Sequence, residues 1–543
     1  MIWDYIFGFA SFPNLSALLV LSLAGWLLFN KYGRGLSHIK GPAVAGYTDL
    51  WRLWIVWQRR PEVALIALHK KYGRVVRIGP SAVSVSNPAA IKVIYGVKGR
   101  FVKSDFYPVQ QTLANGRPLH SLFNTTDEKY HGKLRRGVAN AYAMSTLVQF
   151  EPLVDSTIKA FLQQMDERYA DKQGPEGVCD FGAWLQFFAF DVIDELTFSK
   201  RLGFVDEGRD VDGIIGDLEW LLDYVSVVGQ LPIIDRFLLK NPLRLLLNRF
   251  GMLNSTSPVV AFARKRMGER QAKQPQTKPA TPPPRRDFLS RFLEAHERDP
   301  DFFHHQRVLA LTVANMFAGS DTTAITLRAI FYFLLRNPES MVKLVAELDG
   351  MEEDAHDQSH TQDPNPNYDP DPLVKWDNVR DLPYLTAVIK EALRCHPAAG
   401  LPLERVAPAG GITIGAVERD RDGDRDVRHW IPGGTIIGCS AWTVHLDEGV
   451  FGACPEQFRP ERWIEASTEQ QREMSSCLFS FGSGTRSCIG KNISLLEMYK
   501  LVPAVLGKYE IVLADKRADW KIHNAWFVKQ SGFKVRLRTR RQK

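Results

Sequence analysis

The stretch FSFGSGTRSCIG, residues 479–490, followed by the amphipathic run 491–502, decides how this chain is read. Gly482 and Gly484 permit tight turns that a side chain would strain. Cys488 then stands at the mouth of a helix, where free N–H groups and the helix dipole favour an anion. That placement is expected to lower the thiol pKa and favour the thiolate. Arg486, two residues earlier, adds positive charge that can meet a carboxylate. A thiolate so placed serves either as a nucleophile or as a soft-metal ligand. A nucleophile needs a nearby base, and the segment holds no histidine. A zinc or iron–sulfur centre needs several cysteines, and the segment holds one. A single-thiolate haem site needs one.

Outward from this segment, the 543 residues are 45% hydrophobic and 24% charged, a composition that can bury a large core. The net charge of +8 suits an acidic partner protein or anionic lipid. Nucleic acid is not expected, because Lys and Arg are scattered and neither zinc-finger spacing nor an aromatic RNA-binding motif occurs. The basic run 536–543 reads as a frayed, solvated tail. The six cysteines form no C-x-x-C pair and no disulfide framework. No charge occurs from Tyr5 through Phe29, long enough for a membrane-spanning helix. A cleaved signal peptide fits poorly, since no basic segment precedes the run and no A-x-A-like site follows it. Lys31, Arg34 and Lys40 follow the span and Asp4 precedes it, which places the remainder in the cytosol.

The expected organisation is an anchor at residues 1–30, a hinge and linker at 31–60, one domain at 61–537 and a tail at 538–543. Residues 62–71 read as helix and Val83-Ser84-Val85 as strand. Long helical periodicities dominate 127–250, with 184–198 read as amphipathic. A long helix is expected over 306–336, between polar linkers at 274–286 and 352–372. Residues 418–428 read as a loop or hairpin insertion, and 509–513 and 534–537 as strands. The fold class is mainly α with a smaller β region, an α+β pattern.

Residues 481–490 resemble the haem-binding signature of the cytochrome P-450 superfamily, Phe-x-x-Gly-x-Arg-x-Cys-x-Gly. They match it at Phe481, Gly484, Arg486, Cys488 and Gly490. The resemblance implies that Cys488 ligates the iron of haem b, Phe481 packs near the ligand loop, Arg486 binds a propionate and Gly490 allows close haem contact. Glu391-Ala-Leu-Arg394 puts an acid and a base on one helix face. With Phe458-Arg-Pro-Glu-Arg462-Trp463 it is similar to the family's core network of Glu391, Arg394 and Arg462. Ala318-Gly319-Ser320-Asp321-Thr322-Thr323 interrupts an apolar helix with residues that compete for its hydrogen bonds, a conflict typical of functional sites. It resembles the family's oxygen-binding groove. That implies Ala318 and Gly319 lie against the cofactor, while Asp321 and Thr322 handle protons during oxygen activation. Lys133-Leu-Arg135-Arg136 resembles the helix carrying a propionate-binding arginine. Arg135 matches that arginine, but His131 stands where the family has Trp, and its propionate contact competes with a reading as an exposed histidine. Arg405 is a further candidate propionate partner.

The fold implied is the family's mostly helical domain, and the activity implied is insertion of one oxygen atom from O₂ into a lipophilic small molecule. No flavin or nicotinamide fingerprint occurs, so electrons must come from a partner. The resemblance implies an NADPH-cytochrome P-450 reductase, with cytochrome b5 as a possible second donor, at the endoplasmic reticulum membrane. By family position, substrate meets segments 106–123, 220–231, 315–318, 398–403 and 526–533. Several phrases of sequence, such as KKYGRVVRIGP, resemble fungal members similar to pisatin demethylases and secondary-metabolite oxidases. The alternatives are a haem-thiolate peroxide isomerase or dehydratase, which commonly lacks the acid–alcohol pair, and a non-catalytic haem-binding protein.

Overall fold

Strongly periodic apolar segments become long helices here, and short β-branched runs become edge-to-edge strands. The computed structural model describes residues 12–97, 99–253, 256–272, 287–358, 373–420 and 423–540. Seven helices carry the argument: α1 (Phe12–Leu28), α2 (Glu128–Val138), α3 (Phe181–Phe198), α4 (Ile214–Val228), α5 (His305–Arg336), α6 (Pro383–Cys395) and α7 (Lys491–Lys508). The main hydrophobic core lies between α3, α5, α6 and α7.

The side-chain pattern of α3 differs from the amphipathic expectation for 184–198, because nearly every residue on it is buried. The helix lies along α5 on one side and the helix Glu151–Arg168 on another. Its polar groups serve inside the protein. Asp191 accepts from the backbone N–H groups of Leu202, Gly203, Phe204 and Val205, and Glu195 accepts from the Thr157 hydroxyl at 2.7 Å. Helix α5 is as long and apolar as a membrane span but is 72% buried, so it is a core helix. Its polar middle is satisfied locally: Ser320, Thr322 and Thr326 donate back to the carbonyls of Met316, Ala318 and Thr322. Such back-bonding offsets the competition with the helical ladder. The helical run Leu15–Gly33, made of α1 and the turn that continues it, is also long and apolar enough to cross a membrane, and it is 6% buried.

A five-stranded sheet runs in the order Val75–Gly79, Ala82–Val85, Ile436–Cys439, Arg405–Val406, Val102–Lys103, with one parallel pair at Ala82–Val85 and Ile436–Cys439. Its register sets Lys103 directly opposite Arg405. The stretch 418–428 belongs to a hairpin of Ile412–Asp420 with Gly423–Ile431.

Three terminal or linking segments are more ordered than their composition suggests. Residues 31–60, expected as a hinge and linker, fold back on the sheet. Arg77 donates to the carbonyls of Asn30 at 2.6 Å and Lys31 at 2.8 Å, and Arg52 of the helix Leu50–Trp57 pairs with buried Glu404. The basic run expected to fray from 536 is strand to Thr539, paired with Tyr509–Leu513, and Arg540 pairs with Asp349 at 2.7 Å. Its charges are tolerated because alternate side chains face outward while the apolar residues between them pack inward. The polar stretch from 352 continues the helix Pro338–Gln358 before 359–372, which like the linker at 274–286 lies outside the described residues.

Helix α6 carries the Glu391 network as its motif predicts. Arg394 donates to both Glu391 oxygens, at 2.8 and 2.7 Å, and Arg462 donates to Oε1 at 2.8 Å. Trp463 Nε1 donates to Oε2 at 2.8 Å, and Arg394 also reaches the carbonyls of His445 and Gln457. Glu391, Arg394, Arg462 and Trp463 are all buried, with Glu391 0% exposed.

Candidate active site

The site is built on the turn before α7. Gly482 and Gly484 both have positive φ, at 64° and 67°. At Gly484 a Cβ would also fall 1.7 Å from the Tyr95 carbonyl oxygen, whereas at Gly482 it would meet only Leu403 Cδ1 at 3.5 Å. Gly484→Ala is therefore expected to cost about 1–3 kcal/mol in backbone strain plus displacement of the end of the helix Ala89–Tyr95. Gly482→Ala should cost the strain alone. Thermal unfolding of the two variants side by side measures the difference, and equal losses would refute the close-approach role of Gly484.

These turns return the chain so that Cys488 N–H donates to the Phe481 carbonyl at 2.8 Å. The Phe481 ring lies 5.7 Å from Lys491 Nζ. Cys488 Sγ then faces the backbone N–H groups of Gly490 and Lys491. The side chain keeps accessible surface although protein surrounds it. Contrary to the sequence expectation, burial raises the thiol pKa, outweighing those N–H groups and the charge of Arg135. A bound metal cation reverses such a balance by deprotonating a coordinating thiol outright.

Four basic side chains converge on His131 of α2. Arg135 on α2 donates to the Ser487 carbonyl at 2.8 Å. Arg486 pairs with Glu128 at 2.7 Å and reaches the Leu122 carbonyl at 3.2 Å. Arg405 stacks 4.9 Å over Tyr95, and Lys103 lies 4.0 Å over Tyr107 and 4.3 Å over Phe123. His131 is buried among them rather than exposed. Burial first, then Arg486, Lys103, Arg135 and Arg405, push its pKa down to about 3, so the imidazole is neutral. Desolvation and the neighbouring Arg405 and Arg486 likewise hold Lys103 well below its ordinary pKa, opposed by Glu128. Such a surplus of partly buried positive charge is costly unless an anion joins it.

This arrangement fits a haem. The two propionates would balance the cations, the open thiol would meet the iron, and a Cβ at Gly490 would meet only Cys488 Sγ, at 4.0 Å, which leaves that side of the turn open. Lys103 was missed in the sequence, where a lone lysine in a two-residue strand gives no signal.

The groove of α5 adjoins a cavity of about 120 Å³. Thr322 Oγ1 donates to Ala318 at 2.6 Å, and Ala318 lines the cavity. Gly319 is turned to α3, where a Cβ would come 2.8 Å from Ile193 Cγ1, so its missing side chain lets the helices approach. Asp321 is 2% exposed, and burial raises its pKa. The cavity walls are Phe123, Leu218, Leu221, Leu222, Val225, Ala310, Val313, Ala314, Phe317 and Phe527, with Gln110, Thr112, Ser121 and Asn124 as polar points. Segments 106–123, 220–231 and 526–533 each contribute residues to its lining, and the α5 face begins at Ala310, earlier than 315–318. The loop 398–403 instead lines a neighbouring void of about 20 Å³ through Leu401 and Pro402.

Comparison with known proteins agrees with this geometry. The family model for Cytochrome P450 matches residues 45–536. A cytochrome P450 monooxygenase of Aspergillus terreus is 40% identical over 92% of this chain and 96% of its own length. The cytochrome P450 monooxygenase cicH of Emericella nidulans is 39% identical over 93% and 94%. The cytochrome P450 monooxygenase mpaDE of Penicillium roqueforti is 36% identical over 93% of this chain and 55% of its own length. The chain belongs to the cytochrome P450 family and is a haem-thiolate monooxygenase.

Proposed function

We propose that Cys488 is the axial thiolate of haem b and that the chain oxidises a lipophilic small molecule in fungal secondary metabolism. The observation that carries the assignment is the accessible thiol at the mouth of α7 beside Arg135, with Arg486, Arg405 and Lys103 gathered with Arg135 around His131 of α2. The other cysteines lack this combination: Cys179, Cys439 and Cys477 are buried in apolar clusters, Cys395 lies beside Glu391, and Cys454 is on the surface. Haem held there supplies oxygen activation, and thiolate ligation favours O–O cleavage.

The chain's own residues bind, orient and move protons. Arg135, Arg486, Arg405, Lys103 and neutral His131 hold the propionates. Asp321 passes protons to the groove, and the Thr322 hydroxyl, anchored on the Ala318 carbonyl, relays them. The apolar walls exclude water and orient the substrate, with the polar points fixing its register. Electrons come from an NADPH-cytochrome P-450 reductase, with cytochrome b5 as a second donor, whose acidic face suits the charge of +8. Helix α1 anchors the chain in the endoplasmic reticulum membrane as a single span, with the catalytic domain in the cytosol.

Thr322→Ala tests the groove. Haem loading is expected to be unchanged, while product formed per NADPH falls several-fold and the lost equivalents appear as hydrogen peroxide. Unchanged coupling would remove Thr322 from proton delivery.

A further inference from the structure

Asp321 is held from outside the groove. Its Oδ1 accepts from Gln186 Nε2 at 2.5 Å, and Gln186 Oε1 accepts from Arg328 Nη2 at 2.9 Å. Arg328 Nε donates to the Gly182 carbonyl at 2.7 Å. Gly182 and Gln186 stand one turn apart on α3, and Asp321 and Arg328 two turns apart on α5, so this chain of bonds ties the helices together where they pack. Gln186, Asp321 and Arg328 are all buried. Arg328 has donors only, so it fixes which end of the Gln186 amide is oxygen and turns the N–H end to Asp321. Oδ1 is thereby committed as an acceptor, which leaves Oδ2 as the oxygen that would take a proton.

The charged groups facing Asp321 come from three elements. Arg328 lies on α5 itself, Lys529 on the strand Phe527–Ser531, and Glu219 on α4. Lys529 and Glu219 pair with each other at the outer end of this group. Burial keeps the Asp321 carboxyl above its ordinary range, with Lys529, Arg328 and the Gln186 hydrogen bond pulling it back. A direct ion pair with Arg328 would lock Asp321 as a carboxylate. The interposed amide makes the direct donor a neutral one and keeps the Arg328 guanidinium out of hydrogen-bond contact, which suits a group that must both give and take a proton.

We propose that Gln186, itself fixed by Arg328, is the positioning residue that orients Asp321 for proton transfer between the Lys529–Glu219 pair and the Thr322 groove. The inference rests on Asp321 acting as the relay, as set out under the proposed function. The test uses the ferric haem-loaded chain without substrate. The infrared C=O band of protonated Asp321, assigned by its loss in Asp321→Asn, is followed against pH. In Gln186→Leu the titration midpoint is expected to rise by about one pH unit or more, since a hydrogen bond to a charged group contributes on that scale. Gln186→Glu keeps the Arg328 contact but sets a second carboxyl against Asp321, and should raise the midpoint further. The second readout is the solvent deuterium isotope effect on reductase-driven NADPH oxidation, expected to increase in Gln186→Leu as in Asp321→Asn. A midpoint unmoved in both Gln186 variants overturns the positioning role. So does an isotope effect raised in Asp321→Asn and unchanged in Gln186→Leu, which leaves the relay standing. An isotope effect unchanged in Asp321→Asn overturns the relay and this inference with it. Should Gln186→Leu fail to load haem, the midpoint in Gln186→Glu decides alone.

Discussion

Cys488→His is expected to reduce NADPH-driven product formation to background while the folded chain persists. The contacts that Sγ makes are with backbone N–H groups of Gly490 and Lys491, and the side chain keeps accessible surface. Replacing it therefore strands no buried side-chain partner. The turn that presents residue 488 is set by Gly482, Gly484 and the bond from its own N–H to Phe481, none of which involves the side chain. What changes is the ligand field, because a neutral nitrogen cannot push electron density as a thiolate does. The loss should exceed the ~10–100-fold typical of removing an outer-shell partner. Turnover with a reductase, beside the denaturant midpoint of the same preparation, measures both halves of the expectation. Appreciable turnover in the variant would place the ligand elsewhere.

Glu391→Leu is expected to have the largest effect on folding. The carboxylate lies between two guanidinium groups, Arg394 and Arg462, which are 1% and 6% exposed. Removing it leaves both charges and the Trp463 N–H with no carboxylate acceptor in the interior. Breaking a buried pair in this way costs ~3–5 kcal/mol, against a total stability of about 5–15 kcal/mol for a typical domain. Helix α6 would lose its tie to the segment carrying Arg462, and that segment runs on to the Cys488 turn. The urea midpoint and the haem content of purified protein should both fall. A midpoint within experimental error of the parent would mean that the network is dispensable for folding.

These two residues illustrate what a linear sequence discloses. The spacing around Cys488 carries its own chemistry, because glycine turns, a helix mouth and a lone thiol lie within twelve residues. Glu391 and Arg394 share a helix face, so half of that network is local, and the Arg462 motif supplies the other half. The long helix α5 and its polar interruption were equally legible, since period and length were both strong. Lys103 and Gln186 were not. Gln186 reads as one amide in an apolar helix until α3 is laid against α5, which brings it to Asp321 across 135 residues of chain. Lys103 joins Arg405 only through strand pairing that brings distant segments together. Helix α3 was misread as amphipathic because its acids looked solvated, whereas Asp191 and Glu195 are spent on buried partners. Residues 31–60 looked like a linker because the groups that pin them, Arg77, Glu404, Gln230 and Ser226, lie far away in sequence.

The fold narrows the function less than the site does. In the proposed reading the acid Asp321 and the alcohol Thr322 on α5 separate an oxygen-inserting enzyme from a peroxide isomerase, and the apolar cavity of about 120 Å³ beside Ala318 is the proposed place for the substrate.

The most direct test of the central assignment is the absorption spectrum of the reduced carbon monoxide complex of the purified, haem-loaded chain, recorded beside Cys488→His. A thiolate-type spectrum in the parent and its loss in the variant is the predicted result. A thiolate-type spectrum that persists in Cys488→His, or a histidine-type spectrum in the parent, would contradict Cys488 as the ligand.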